Sequence, residues 1–325
     1  VGFKPDFVWM KNRNSTQWHG LYDSVRGAGK WITSNATNAE ADTAGTTLTS
    51  FNADGFSLGN DSNGYGANTN NNTYVSWNWK SGGADVLNQE GTIDSQVSAS
   101  VHSGFSIVKY TGNGNTSQQS YGHGLSSAPE LVINKAIDTV TLGTNFWVVG
   151  GTLLGNGGYI FLNATNAKNT ASSYNGNQVP DSNVVYISGT SDLIHNENNK
   201  NYITYCFHSV DGMSKIGSYV GTGASGNSIV TGFRPAYVMF KRTDSTSGWN
   251  IQDNKRNSTN PRTGVLQAHN SDPEYTSSTY AVDFNSNGFQ IVNSDNGWNT
   301  SGGTYIFMAF AEEVFNPNGV TRNAT

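Results

Sequence analysis

Short apolar runs alternate with polar turn residues along the whole chain, and this pattern is typical of β-strands. Runs rich in valine, isoleucine, tyrosine, phenylalanine and tryptophan are separated by glycine, asparagine and serine about every 8–12 residues. No segment keeps a 3.6-residue apolar period; the nearest, 37–47, is rich in alanine but has little apolar face. The pattern predicts an all-β protein of antiparallel β-sandwiches with negligible helix.

Two strand signatures recur three times along the chain. The first is a proline followed by a short apolar strand that ends in lysine, at 5–11, 129–135 and 235–241. Proline suits the mouth of a strand because its missing N–H removes no ladder bond there. The second is a tyrosine-led strand, and the spacing to it is nearly constant: Tyr74 lies 69 residues after Pro5, Tyr202 lies 73 after Pro129, and Tyr305 lies 70 after Pro235.

The repeats predict three tandem sandwich units, at 1–97, 98–211 and 212–325, the last with a short C-terminal tail. A further tyrosine-led strand that closes in a Gly-x-Gly turn precedes the second and third units, at 110–114 and 219–223. The first unit lacks this leading strand, and its sheet edge would be exposed. We therefore expect either that the chain is a shortened piece of a longer polypeptide or that a neighbouring chain supplies the strand.

Composition narrows the class of protein. Charged residues make up only 13% against about 25% in typical domains, yet 12% of the residues are aromatic, which argues against disorder. The net charge is −5 without a Lys/Arg cluster, so we predict no nucleic-acid partner. No apolar run approaches the ~20 residues that cross a bilayer, so we predict no membrane insertion. The single cysteine, Cys206, lies in an apolar strand and is predicted to be a buried thiol.

Catalytic and metal-binding patterns are missing from the sequence. The six histidines lack H-E-x-x-H spacing, and no serine sits in a G-x-S-x-G elbow, so we predict a protein that is not an enzyme and binds neither metal nor cofactor. Residues 61–64 resemble part of a calcium loop but lack its closing glutamate. A glycosidase stays as an alternative, although no feature pairs its candidate carboxylates: Asp54, Asp61, Glu130, Asp181, Asp253 and Asp283.

Aromatic residues in polar surroundings are the remaining candidates for a binding site. Sugar rings stack their C–H faces on indoles, while amide and carboxylate side chains bind the hydroxyls. The alternative is that these side chains fill the sandwich cores. The candidates for glycan stacking are Trp18, His19, Trp31, Trp249 and Trp298.

The proline-led and tyrosine-led strands resemble a repeat family in structural and tail-fibre-like proteins of marine tailed phages, including cyanophages. The resembling stretches sample the whole chain: 2–9, 21–27, 50–56, 202–212 and 303–312. The resemblance implies concanavalin-like jelly-roll units and a place at the virion surface. It also implies contact with other virion proteins and a homo-oligomer, with a trimer as one option.

Two functions follow as hypotheses. The first is a receptor-binding or tail-fibre protein that recognises glycans on the host cell surface. The second is a purely structural virion component, such as a capsid decoration or a fibre shaft. Exposed tryptophans on one face of each unit would favour the first hypothesis, and buried tryptophans the second.

Overall fold

The computed structural model describes residues 1–141, 143–188, 195–295, 297–315 and 321–323. The chain is almost entirely β, which confirms the predicted fold class. The helical turns among the described residues are short: two 3₁₀ turns, Thr152–Leu154 and Ser278–Tyr280, and one α-helical turn, α1 (Ser172–Asn175).

The strands fall into three consecutive segments, which we call the first (1–79), second (86–207) and third (214–311). The first contains β1 (Phe7–Asn12), β2 (His19–Asp23), β3 (Lys30–Trp31), β4 (Ala41–Asp42), β5 (Leu48–Asn52), β6 (Gly55–Leu58) and β7 (Tyr74–Trp79). The second contains β8 (Val86–Asn88), β9 (Ser95–Ser100), β10 (Phe105–Thr111), β11 (Gln119–Gly122), β12 (Leu131–Ala136), β13 (Val148–Gly150), β14 (Gly158–Phe161), β15 (Asn169–Thr170), β16 (Val184–Ile187) and β17 (Asn201–Phe207). The third contains β18 (Ser214–Val220), β19 (Asn227–Val230), β20 (Pro235–Arg242), β21 (Trp249–Asp253), β22 (Gly264–Gln267), β23 (Tyr275–Thr276), β24 (Val282–Asn285), β25 (Gly288–Ile291) and β26 (Thr304–Ala311), and β27 (Glu313–Phe315) and β28 (Thr321–Asn323) follow it.

Each segment has a front sheet and a smaller back sheet, all antiparallel. The front sheets have the strand orders β2-β1-β7, β15-β14-β13-β12-β17-β10-β9-β8 and β18-β26-β20-β21-β22-β23. The back sheets are β5-β6, β11-β16 and β19-β25-β24. Strand β9 pairs with β10, and β8 pairs with β9, so the strand residues between 86 and 97, which the sequence assigned to the first unit, join the second front sheet. The unit boundaries at 97/98 and 211/212 stay a prediction.

The two repeated signatures pair with each other in the same register in all three front sheets. In each case the lysine six residues after the proline lies opposite the residue that follows the tyrosine. The pairs are Lys11 with Val75, Lys135 with Ile203 and Lys241 with Ile306. The constant spacing in the sequence therefore corresponds to one repeated strand pairing.

The proline-led strands of the front sheets, β1, β12 and β20, are buried on both faces. Because successive side chains in a strand point to opposite faces, Trp9, Ile133 and Met239 enter one central core shared by all three segments. Their neighbours Met10 and Phe240 enter separate cores, each between a front sheet and its own back sheet. Burial of each such side chain stabilises the fold by roughly 1.5–3 kcal/mol, so the shared core holds the segments together.

Hydrogen bonds between the segments follow a closed cycle. The lysine at the end of each proline-led strand is buried and donates to a carbonyl of another segment. These bonds are Lys11 Nζ to Ser271 O, Lys135 Nζ to Thr37 O and Lys241 Nζ to Thr165 O, each 3.3 Å long. The residue three positions after each acceptor donates its backbone N–H to a carbonyl of the segment that carries the lysine. These bonds are Glu274 to Arg13 O, Glu40 to Ile137 O and Lys168 to Thr243 O. The lysine of the first segment thus donates to the third segment, that of the third donates to the second, and that of the second donates to the first.

Candidate functional site

Four of the five predicted stacking residues are buried. His19 and Trp298 are fully buried, and Trp31 and Trp249 nearly so, whereas 41% of the Trp18 surface is exposed. The prediction that Trp31, Trp249 and Trp298 offer stacking faces is therefore wrong, and so is that for His19. His19, Trp31 and Trp249 lie in strands and Trp298 lies in a turn, and all four side chains point into the protein interior.

His19 and Trp249 occupy the same position in their sheets, and a residue that the sequence analysis missed, Trp147, completes the set. His19 lies opposite Lys11 and Trp249 opposite Lys241, while Trp147 lies one residue before Val148, which pairs with Asn134. Each ring bonds a carbonyl of another segment: His19 Nε2 to Gln267 O at 3.0 Å, Trp147 Nε1 to Thr33 O at 2.7 Å and Trp249 Nε1 to Phe161 O at 2.8 Å. Trp147 takes the position opposite the repeated lysine that His19 and Trp249 take in the other sheets, and this shared position could have identified it from the sequence repeats.

The hydrogen bonds of His19 determine its protonation state. Trp9 Nε1–H donates to His19 Nδ1 at 2.8 Å, so that nitrogen carries no proton. The proton is therefore on Nε2, which donates to Gln267 O. Burial and the neighbouring Lys11 ammonium hold the pKa of His19 well below its usual range. His19 is a neutral structural bridge between two segments.

Trp298 fills the core between the front and back sheets of the third segment. Its ring centroid lies 4.0 Å from that of Phe240 in an edge-on arrangement, and its ring is tilted against Tyr280. The Tyr219 hydroxyl donates to its backbone carbonyl at 2.9 Å. This side chain contributes to packing.

Trp18 is the exposed end of an aromatic patch, which we define as Trp18, Trp31 and Tyr65. The ring centroid of Trp18 lies 5.3 Å from that of Trp31, which lies 4.7 Å from that of the half-buried Tyr65. The buried Trp31 thus supports the exposed indole from below. The patch offers an aromatic face that is already held in place.

Asp61 holds the loop that carries Tyr65. One oxygen of its carboxylate accepts hydrogen bonds from the Gly66 backbone N–H and the Thr69 hydroxyl, both at 3.1 Å. The side chain of Gln17, next to Trp18, lies against Gly66. The segment that resembled part of a calcium loop thus uses its first aspartate to close its own turn.

Three of the other candidate carboxylates for a glycosidase, Asp181, Asp253 and Glu130, are also engaged in structural bonds. Asp253 pairs with Arg256 at 2.5 Å and accepts a hydrogen bond from Trp77 Nε1 at 3.1 Å. Glu130 accepts bonds from the backbone and the hydroxyl of Ser209. Among the described residues, no group of three or more His, Cys, Asp and Glu side chains is placed to hold a metal ion.

The single thiol is buried, as the sequence predicts. Cys206 lies on β17 with no exposed surface, and burial raises its pKa to about 12. At neutral pH it is therefore protonated and unreactive. In the described part of the chain, no helix is both long and apolar enough to cross a bilayer.

Comparison with known proteins gives a match to a protein family. A protein-family model described as a domain of unknown function (DUF7483) matches residues 1–314. No curated protein and no solved structure matches the chain.

Proposed function

The chain belongs to the DUF7483 domain family, and we propose that it serves as a non-enzymatic structural component at a virion surface. The observation that carries this proposal is the shared central core. Six of the eight tryptophans are buried, among them Trp9, Trp77, Trp147 and Trp249 in that core. The resemblance to tail-fibre-like phage proteins supports the location.

A structural role requires a block that keeps its shape without disulfides. With one cysteine the chain forms no internal disulfide, so packing and hydrogen bonds must supply its stability. The central core and the cyclic bonds join three sandwiches that could otherwise move independently. One chain thereby forms the same set of contacts three times, once between each pair of segments. The proposal also includes contact with other virion proteins and assembly into a homo-oligomer.

Two measurements test the structural role. Scanning calorimetry should give one cooperative transition whose calorimetric and van't Hoff enthalpies agree; three separate transitions would contradict a single block. An antibody against the chain, used in immunogold electron microscopy, should label intact particles of a phage that encodes it. Labelling confined to debris from infected cells would overturn the virion location.

Glycan binding at the aromatic patch is the second candidate function, and the exposure of Trp18 favours it. An indole that is 41% exposed and supported by a buried ring can stack on a sugar without first being ordered. Because the other predicted tryptophans are buried, we place this function on the first segment alone, with a host cell-surface glycan as the ligand.

A glycan array with matched variants tests this second function. Trp18→Ala should abolish binding, whereas Trp18→Phe should retain part of it because the stacking face is only reduced. Leu87→Ala, at another exposed apolar side chain, is the control and should bind as the wild type does. Failure of the wild-type chain to bind any glycan would reject this function and leave the structural role.

A further inference from the structure

The first front sheet ends at a strand edge that is covered in the other two. Among the described residues, strand β7 is the last strand of its sheet and pairs with β1 alone. The equivalent tyrosine-led strands have a second partner, because β10 pairs with β17 and β18 pairs with β26. An uncovered edge offers unpaired N–H and C=O groups to any extended polypeptide.

The back sheet of the first segment is short of a strand at the corresponding place. In the third segment, β19 pairs with β25 and leads into Thr231, whose N–H donates to Asn287 O at 3.0 Å. In the first segment, the Val1 amino group donates to Asp54 O at the same distance. Val1 thus takes the position of Thr231, but in the described part of the chain β6 pairs with β5 alone.

The strands that cover the equivalent edges share an Ile-x-x-Tyr pattern in one register. The isoleucine enters the central core. In the partner strand it lies opposite the third residue after the leading tyrosine, Tyr202 or Tyr305, so that Ile107 pairs with Tyr205 and Ile216 with Met308. The tyrosine of the Ile-x-x-Tyr pattern lies opposite the tyrosine that leads the partner strand, and the two rings stack. The ring centroids are 5.0 Å apart for Tyr110 with Tyr202 and 4.7 Å apart for Tyr219 with Tyr305.

The uncovered edge of β7 borders an open cavity. The cavity has a volume of about 110 Å³ and includes Val75, Trp77, Tyr237 and Phe310 in its lining. In the shared register an incoming isoleucine would face Trp77 and an incoming tyrosine would face Tyr74. Polar residues, among them Asp253 and Lys255, also line the cavity, but most of its exposed lining surface is apolar, which suits an aliphatic side chain better than a charged one.

We propose that the edges of β7 and β6 together accept a two-strand polypeptide segment of the β18–β19 type. Its first strand runs antiparallel to β7 and carries Ile-x-x-Tyr, with the isoleucine in the cavity. Its second strand pairs with β6 and ends against Val1. The occupant is a further segment of this type and not β18 of a second copy, because the Ile216 and Tyr219 side chains of that strand are already buried in the cores of their own chain.

A peptide with the sequence of residues 214–231, which spans β18 and β19, probes this site on the full chain. Hydrogen exchange at the amides of 75–79 and 55–58 should slow by about tenfold or more when peptide is in excess, and the melting temperature should rise with peptide concentration. The control peptide carries Ile216→Asp and Tyr219→Asp, which place charges against Trp77 and Tyr74, and it should do neither.

A fusion keeps the proposal testable if the free peptide binds too weakly. Residues 214–230 joined directly to Val1 should protect the same amides, and the fusion with the two aspartates should not. Equal exchange in both fusions would overturn the proposal. Protection of 75–79 in the unfused chain, appearing together with dimers in sedimentation, would also overturn it by identifying a second copy as the occupant.

Discussion

Replacement of Asp23 by asparagine removes the charge from the most enclosed ion pair of the described residues, Asp23 with Arg26 in the first segment, which also accepts a bond from the second segment. Asp23 has no exposed surface, and its Oδ2 accepts hydrogen bonds from Arg26 Nε at 2.6 Å and from the Tyr205 hydroxyl at 2.8 Å. The variant puts a neutral side chain of the same shape beside a guanidinium that is only 1% exposed. If its amide nitrogen occupies the Oδ2 position, that nitrogen faces two donors.

The expected loss of unfolding free energy follows from this burial. Removal of one partner from a buried ion pair costs about 3–5 kcal/mol, because the remaining charge stays desolvated. Glu40 still reaches Arg26 Nη1 at 3.0 Å, which compensates part of the charge. We therefore expect Asp23→Asn to lower the free energy of unfolding by about 3 kcal/mol, the lower end of that range.

Urea unfolding followed by tryptophan fluorescence measures the effect. Asp42→Asn is the matched control, because the Lys30–Asp42 pair has a similar length of 2.8 Å but is exposed, and no change in midpoint is expected. Tyr205→Phe and the double variant complete a cycle, which should show a coupling of about 0.5–3 kcal/mol. A loss below about 1 kcal/mol for Asp23→Asn at unchanged slope would refute the argument.

The remaining predictions concern pH and the bonds between segments. Burial lowers the pKa of His195 to about 4, so the unfolded chain binds more protons and stability should fall as the pH drops from about 6.5 toward 4; His195→Gln should flatten this fall, and an unchanged pH profile would contradict it. Burial lowers the pKa of Lys135 to about 7, so stability should rise between pH 7 and 9, and less steeply in Lys135→Met. Trp249→Phe leaves the carbonyl of Phe161 without its donor and should cost about 1–3 kcal/mol in urea unfolding, whereas a cost no greater than that of Trp18→Phe would contradict this role.

The sequence by itself determined the repeated strands, and the structure showed how they pair. Proline at a strand mouth and a tyrosine about seventy residues later identified the two strands that pair in each front sheet, and the register proved identical in all three. These signals are local: a missing N–H, a β-branched or aromatic run, and glycine or asparagine at turns. The all-β class followed from them without knowledge of tertiary contacts.

Only the tertiary structure decided what covers each face of the strands. Trp18 and Trp249 both lie in polar sequence, yet one is exposed and the other donates to Phe161 of another segment. Likewise, the lysine that ends each proline-led strand resembles a solvated strand end, although it is buried between segments. Alternation along a strand gives the face on which a side chain lies, but whether water or a second sheet meets that face depends on residues far away in the sequence, 88 positions away for Trp249 and Phe161.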